Sequence, residues 1–105
     1  MAIHIQSKDD LDARLKEAGD SLVVIDFSAV WCGPCKMIGP VFKSLATENP
    51  TVVFLEVDVD ECDDIASEYS VTAMPTFIFL KGGQKITSFS GANAEKLKEL
   101  VAANK

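Results

Sequence analysis

The chain has 105 residues, 48% of them hydrophobic and 25% charged, with a formal net charge of −6. This is the make-up of a single domain, residues 1–105, around one compact core, and it excludes a disordered, fibrous or low-complexity chain. The acidic balance disfavours nucleic acid and anionic lipid as partners, and no apolar run approaches the roughly 20 residues that a membrane-spanning helix needs.

Taken in order, Ile3 to Gln6 reads as a short strand. Ser7-Lys8-Asp9-Asp10 reads as a helix start capped by Ser7, with Leu11, Leu15 and Ala18 on one face and Gly19 as the stop. Leu22 to Phe27 is nearly continuous in apolar residues, as in a central strand covered on both faces, and Asp26 is its one interruption. After Trp31-Cys32-Gly33-Pro34-Cys35, the residues Met37, Ile38, Val41, Phe42 and Leu45 repeat at helical spacing and are assigned to a core stripe. Pro40 is predicted to kink that helix, and Asn49-Pro50 to end it.

Val52 to Val57 is a second buried strand, and Asp60 is predicted to cap a short helix carrying Ile65 and Ala66. Pro75 to Leu80 is a third buried strand, Lys81-Gly82-Gly83-Gln84 a tight turn, and Lys85 to Ser90 an antiparallel edge. Asn93 caps a last helix with Leu97, Leu100 and Val101 inward. The order βαβαβαββα predicts an α/β fold: a mixed sheet with helices on both faces, helix-separated strands running parallel and one hairpin. No internal repeat or linker interrupts it.

The N-terminus, Met1 to Gln6, has neither a basic segment nor a long apolar one, so no signal peptide is read and the cytoplasm is the expected location. Thiols are kept reduced there, so a close cysteine pair points to catalysis or metal binding rather than to a static staple. Cys32-Gly33-Pro34-Cys35 falls where a buried strand gives way to a helix. A helix N-terminus offers unpaired N–H groups and the positive end of the dipole, and both stabilise a thiolate. Cys32 is therefore expected to have a lowered pKa and to be exposed. Cys35, one turn on, is expected to be more buried and less acidic, while Pro34 suits a first turn where its missing N–H is no loss.

A zinc site is the competing reading, since it uses similar spacing. Only Cys62 and His4 remain as further ligands, they belong to different elements, and no second ligand pair exists. The chain is thus expected to hold no metal, and with no Gly-rich nucleotide motif it is expected to carry no bound cofactor. Asp26 is the candidate proton-handling group: burial would raise its pKa, and it could accept the proton of Cys35 through a water. Its alternative is a strand end open to water; Val24, Ile25 and Phe27 favour burial. Cys62 could be a regulatory thiol near a helix start, but the adjacent Asp60 and Glu61 oppose a thiolate and favour a small, partly buried, inert residue. His4 is assigned to the surface.

The run Phe27-Ser28-Ala29-Val30-Trp31-Cys32-Gly33-Pro34-Cys35-Lys36 resembles the thioredoxin family, as do Val57-Asp58-Val59-Asp60, Met74-Pro75-Thr76 and Phe89-Ser90-Gly91-Ala92. The flanks are most similar to animal cytosolic members. The resemblance implies a thioredoxin fold, a five-stranded mixed sheet in the order 1-3-2-4-5 flanked by four helices, with a cis Met74–Pro75 bond facing the dithiol. It implies a protein disulfide reductase using Cys32 and Cys35. Substrate would be bound by Trp31, Gly33, Pro34, Ala73, Met74, Pro75, Gly91 and Ala92, with Ala73 pairing an extended substrate strand. Trp31, read without the family, could be core, but beside an exposed thiol a contact role is favoured.

The implied partners are a flavin-containing, NADPH-dependent thioredoxin reductase and disulfide-bearing proteins such as peroxiredoxins. Some vertebrate relatives carry extra cysteines near positions 69 and 73; Tyr69 and Ala73 stand there, so no disulfide-linked dimer is expected and the chain is read as a monomer. A non-covalent dimer through the surface at Trp31 is the alternative. Bacterial relatives often set a lysine beside the buried acid; Phe54-Leu55-Glu56-Val57-Asp58 has none. A redox-dependent binding module is the second functional reading, which catalytic turnover would separate from a reductase.

Overall fold

In the computed structural model, which describes residues 1–105, nine elements follow one another. They are β1 (Ala2–His4), α1 (Lys8–Ala18), β2 (Val23–Ser28), α2 (Gly33–Glu48), β3 (Val53–Asp58), α3 (Asp63–Glu68), β4 (Thr76–Lys81), β5 (Gln84–Ser90) and α4 (Ala94–Asn104). One five-stranded sheet has the order β1-β3-β2-β4-β5. The pairs β1–β3 and β3–β2 are parallel, and β2–β4 and β4–β5 antiparallel. This is the thioredoxin fold that the family resemblance implies.

Alternation along the strands sorts the helices. Leu22, Val24, Phe54, Phe77 and Phe79 pack with Ile38, Phe42, Leu45 and Ala46 of α2 and with Leu97 and Val101 of α4. Val23, Ile25, Phe27, Leu55 and Val57 pack instead with Leu11 of α1 and with Ile65 and Ala66 of α3. The central strand β2 is buried on both faces, which explains its unbroken apolar run. Local signals set the ends. Ser7 accepts the Asp10 N–H at the start of α1, and Asn93 accepts the Lys96 N–H at the start of α4. Gly82 and Gly83 both take positive φ, 56° and 77°, as a two-residue turn of type I′ requires.

Several sequence expectations are corrected. The first strand lies one to two residues earlier than Ile3 to Gln6. β4 is preceded by a helix yet runs antiparallel to β2. The six residues of α3 rise only about 9 Å, against about 20 Å for a six-residue strand. The chain therefore never returns to the far end of the sheet, and it re-enters from the end where β3 left it. Asp60 does not cap α3: the N-cap position is Cys62, which makes no side-chain capping bond. Met37 is not core but 77% exposed, because the buried stripe of α2 runs through Cys35, Ile38, Phe42, Leu45 and Ala46 and Met37 lies to its side. Pro40 lies inside α2, as the sequence places it.

Phe42 touches Phe54 and Phe77 edge-on and tilted, with ring centroids 5.2 and 5.9 Å away, and is fully buried. It joins α2 to the sheet. Phe42→Ala is expected to cost about 3–5 kcal/mol in urea unfolding; a loss below about 1 kcal/mol would show that α2 is anchored elsewhere.

Candidate active site

The end of β2 at Ser28 leads through Ala29, Val30 and Trp31 to Cys32, which is the N-cap of α2. Cys32 and Cys35 are joined as a disulfide with Cα atoms 5.3 Å apart. The Cys35 backbone N–H donates to the Cys32 Sγ at 3.2 Å. The sulfur thus fills the capping role that a serine or aspartate oxygen fills elsewhere, and meets one of the N–H groups that a helix start leaves unpaired. Pro34 sits in the first turn, where no donor is missed.

The expected exposure of Cys32 is corrected. Cys32 is 5% exposed and Cys35 7%, so both are buried and the anticipated order between them does not appear. The disulfide and the capping bond draw the Cys32 sulfur back over the first turn, and Ala29, Val59 and Met74 pack around the pair. What lies open is the rim: Trp31, Gly33, Pro34, Ala73, Gly91 and Ala92 are exposed, Met74 is half-buried, and Pro75 is buried. The Met74–Pro75 bond is cis, as the resemblance implies.

The rim is stitched together by backbone and hydroxyl bonds. Gly91 N–H donates to the Pro75 carbonyl at 2.9 Å, and the Thr76 hydroxyl donates to the Ala73 carbonyl at 2.6 Å. Ser90 Oγ lies 2.9 Å from that same Thr76 hydroxyl. The backbone N–H groups of Ala73 and Met74 make no backbone hydrogen bond within the chain, so this stretch offers an open edge.

Trp31 is 64% exposed, which decides between contact and core. Its indole N–H donates to the Asp60 carboxylate at 2.9 Å, and the Asp60 N–H donates to Asp58 Oδ1. Asp60 therefore holds the tryptophan beside the dithiol. In the sequence Asp60 carries only a capping signal, because a bond spanning 29 positions leaves no local spacing pattern. Val30, the chain neighbour of Trp31, is 73% exposed and adds apolar surface beside it.

Asp26 is 4% exposed, and its Oδ1 has no hydrogen-bond partner, so the water-exposed alternative is removed. Burial, reinforced by the neighbouring charge of Glu56, pushes its pKa up from 3.8 to about 7. Asp26 pairs in register with Glu56 on β3 and Phe77 on β4. A second acid thus stands beside the buried one, and β3 carries no lysine to offset the charge.

Cys62 is 2% exposed, more deeply buried than expected, with its Sγ 3.9 Å from the Ile5 carbonyl. Burial first, then Asp64, Glu61, Asp58 and Asp10, push its thiol up, which opposes thiolate formation. His4 is exposed and its Nε2 lies 2.8 Å from the Glu61 carboxylate. No group of three or more His, Cys, Asp or Glu side chains could hold a metal ion.

Comparison with known proteins agrees with this geometry. The family described as Thioredoxin matches residues 2–103. Thioredoxin of Callithrix jacchus is 59% identical over 101 residues, 96% of both chains, and that of Homo sapiens is 57% identical over the same span. The crystal structure of Fasciola hepatica thioredoxin superposes with a TM-score of 0.96 at 46% identity, covering 98% of this chain and 99% of that one. The disulfide at the start of α2 is a thiol–disulfide exchange centre in its family's fold, and the chain belongs to the thioredoxin family.

Proposed function

We propose that the chain is a protein disulfide reductase of the cytoplasm, acting on disulfide-bearing proteins such as peroxiredoxins and recharged by an NADPH-dependent thioredoxin reductase. The observation that carries this reading is the Cys32 sulfur receiving the Cys35 N–H at the start of a sixteen-residue helix. Once the pair is reduced, the same N–H and the helix dipole favour the Cys32 thiolate over the thiol.

The cycle has two exchanges. Cys32 thiolate attacks one sulfur of the substrate disulfide; that S–S bond breaks, the other sulfur leaves with the electron pair, and a mixed disulfide forms. Cys35 then gives up its proton to Asp26 and attacks the Cys32 sulfur, expelling the second substrate sulfur and restoring the Cys32–Cys35 disulfide. Holding Cys35 one turn from Cys32 makes the second exchange intramolecular, which keeps the mixed disulfide short-lived. Substrate backbone adds as a strand to the free edge at Ala73 and Met74, while Trp31, Gly33, Pro34, Pro75, Gly91 and Ala92 frame the approach. The reductase, rather than oxidase, direction is supported by Gly33-Pro34, which places no positive charge between the cysteines to stabilise the dithiol form further.

Turnover of a protein disulfide with NADPH and a thioredoxin reductase tests the assignment; capture of a partner without turnover would leave only a redox-dependent binding module. Within the cycle, Cys35→Ser is expected to trap covalent substrate adducts on non-reducing gels and Cys32→Ser to trap none. Equal trapping by both would overturn the division of labour between the two cysteines.

Asp26 also makes stability depend on pH. Its folded-state pKa lies above its unfolded value, so the native state holds the extra proton between them. Stability from this group is full below about 3.8 and is lost as pH rises through about 7. A rise of that size corresponds to roughly 4 kcal/mol. Asp26→Asn is expected to match wild type near the lower value and to gain steadily on it towards the upper one in urea unfolding; a stability difference that does not change with pH would contradict the buried, unpaired acid.

A further inference from the structure

The loop of residues 72–75 belongs to no helix or strand, yet it carries the free edge at Ala73 and Met74. Two hydrogen bonds hold it, and both lead to the end of β5. In one, the Gly91 N–H donates to the Pro75 carbonyl at 2.9 Å. In the other, the Thr76 hydroxyl donates to the Ala73 carbonyl at 2.6 Å, and Ser90 Oγ lies 2.9 Å from the Thr76 oxygen. A carbonyl can only accept, so the Thr76 proton is committed to Ala73. The Thr76 oxygen is then left to accept, and Ser90 is the donor. Thr76 and Ser90 stand directly opposite each other in the antiparallel pair β4–β5, where two hydroxyl side chains can meet across the ladder. The result is a one-way chain from Ser90 through Thr76 to Ala73, in which each bond polarises the next. Thr76 is buried, whereas Ser90 is exposed.

We propose that Ser90 and Thr76 are positioning residues for polypeptide substrates: their hydroxyl chain fixes the Ala73 carbonyl, so that the Ala73–Met74 edge is shaped to receive an extended strand before one arrives. The inference rests on the strand addition proposed for that edge. Backbone groups that had to be ordered on binding would subtract from affinity, and groups already held do not. Thr76 takes only one of the two lone pairs of the Ala73 carbonyl, so the other remains for a substrate N–H. The backbone N–H groups of Ala73 and Met74 stay free for substrate carbonyls. Ser90 and Thr76 act through Ala73 and take no part in the sulfur chemistry. A disulfide without a peptide backbone cannot use the edge. The hydroxyl chain therefore sets specificity: it favours disulfides flanked by extended polypeptide over small disulfides.

The test compares insulin, a protein disulfide, with dithiobis(nitrobenzoate), a small aromatic disulfide that has no peptide backbone. Pre-reduced protein is mixed with an excess of either one, and its oxidation is followed over a concentration series. Wild type, Ser90→Ala, Ser90→Thr, Thr76→Val and the double variant are measured. Ser90→Ala should raise the half-saturating insulin concentration about three- to tenfold, the size of one lost hydrogen bond. Its limiting rate and its rate with the small disulfide should not change. Ser90→Thr keeps the hydroxyl and should behave as wild type. Thr76→Val removes both bonds and should act at least as strongly as Ser90→Ala. Adding Ser90→Ala to it should change nothing further, because Ser90 acts only through Thr76. Ser90 is exposed, so Ser90→Ala carries the test should Thr76→Val fail to fold. A Ser90→Ala protein with wild-type half-saturation on insulin, or one that slows equally on both disulfides, overturns the positioning role. A Ser90→Ala defect that adds in full to that of Thr76→Val overturns the chain as its route. Wild type that reduces neither disulfide overturns the reductase reading, and the inference with it.

Discussion

The active site depends on a helix that begins with a sulfur atom. A helix start leaves N–H groups without partners, and here the Cys35 N–H finds the Cys32 Sγ. That bond can hold only if the first turn of α2 is fixed relative to the end of β2. It is fixed because β2 is the middle strand of the sheet and α2 carries a buried stripe, Ile38, Phe42, Leu45 and Ala46, onto that sheet. The rim follows from the same placement: the chain re-enters the sheet at β4 beside β2, which brings Met74 against the cysteine pair and leaves the Ala73–Met74 edge open.

Two carboxylates near the dithiol do opposite things because their surroundings differ. Asp60 is exposed and bonded to the Trp31 indole, so its charge is solvated and its work is to hold an aromatic surface in place. Asp26 is buried in the central strand with an oxygen unpaired and Glu56 beside it, so its neutral form is favoured up to about 7. A buried polar atom without a partner costs stability. The fold tolerates that cost in its central strand.

Much of this is legible in the sequence. The run from Leu22 to Phe27 announces a strand covered on both faces, and Asp26 within it announces a buried acid, because the apolar pattern is a direct record of burial. Ser7, Asn93 and the Gly82-Gly83 turn mark boundaries through local chemistry. What escapes is set by groups far apart in the chain. Asp60 bonds to Trp31 across the loop instead of capping α3. Met37, at helical spacing with the core, faces solvent because a stripe of spacing 3 and 4 can be drawn through more residues than one face holds. The direction of β4 depends on the length of α3, and a six-residue helix carries too weak a periodic signal to measure in advance. The buried state of Cys32 follows from the capping bond and the disulfide, which composition and spacing do not encode.

The most direct measurement is the pH dependence of alkylation at Cys32 in the reduced protein, read by mass spectrometry on the Cys35→Ser variant, so that only buried Cys62 remains beside it. A half-titration well below the value of about 8.5 for free cysteine is expected if the start of α2 stabilises the thiolate. A Cys32 that ionises like free cysteine would contradict the account at its root.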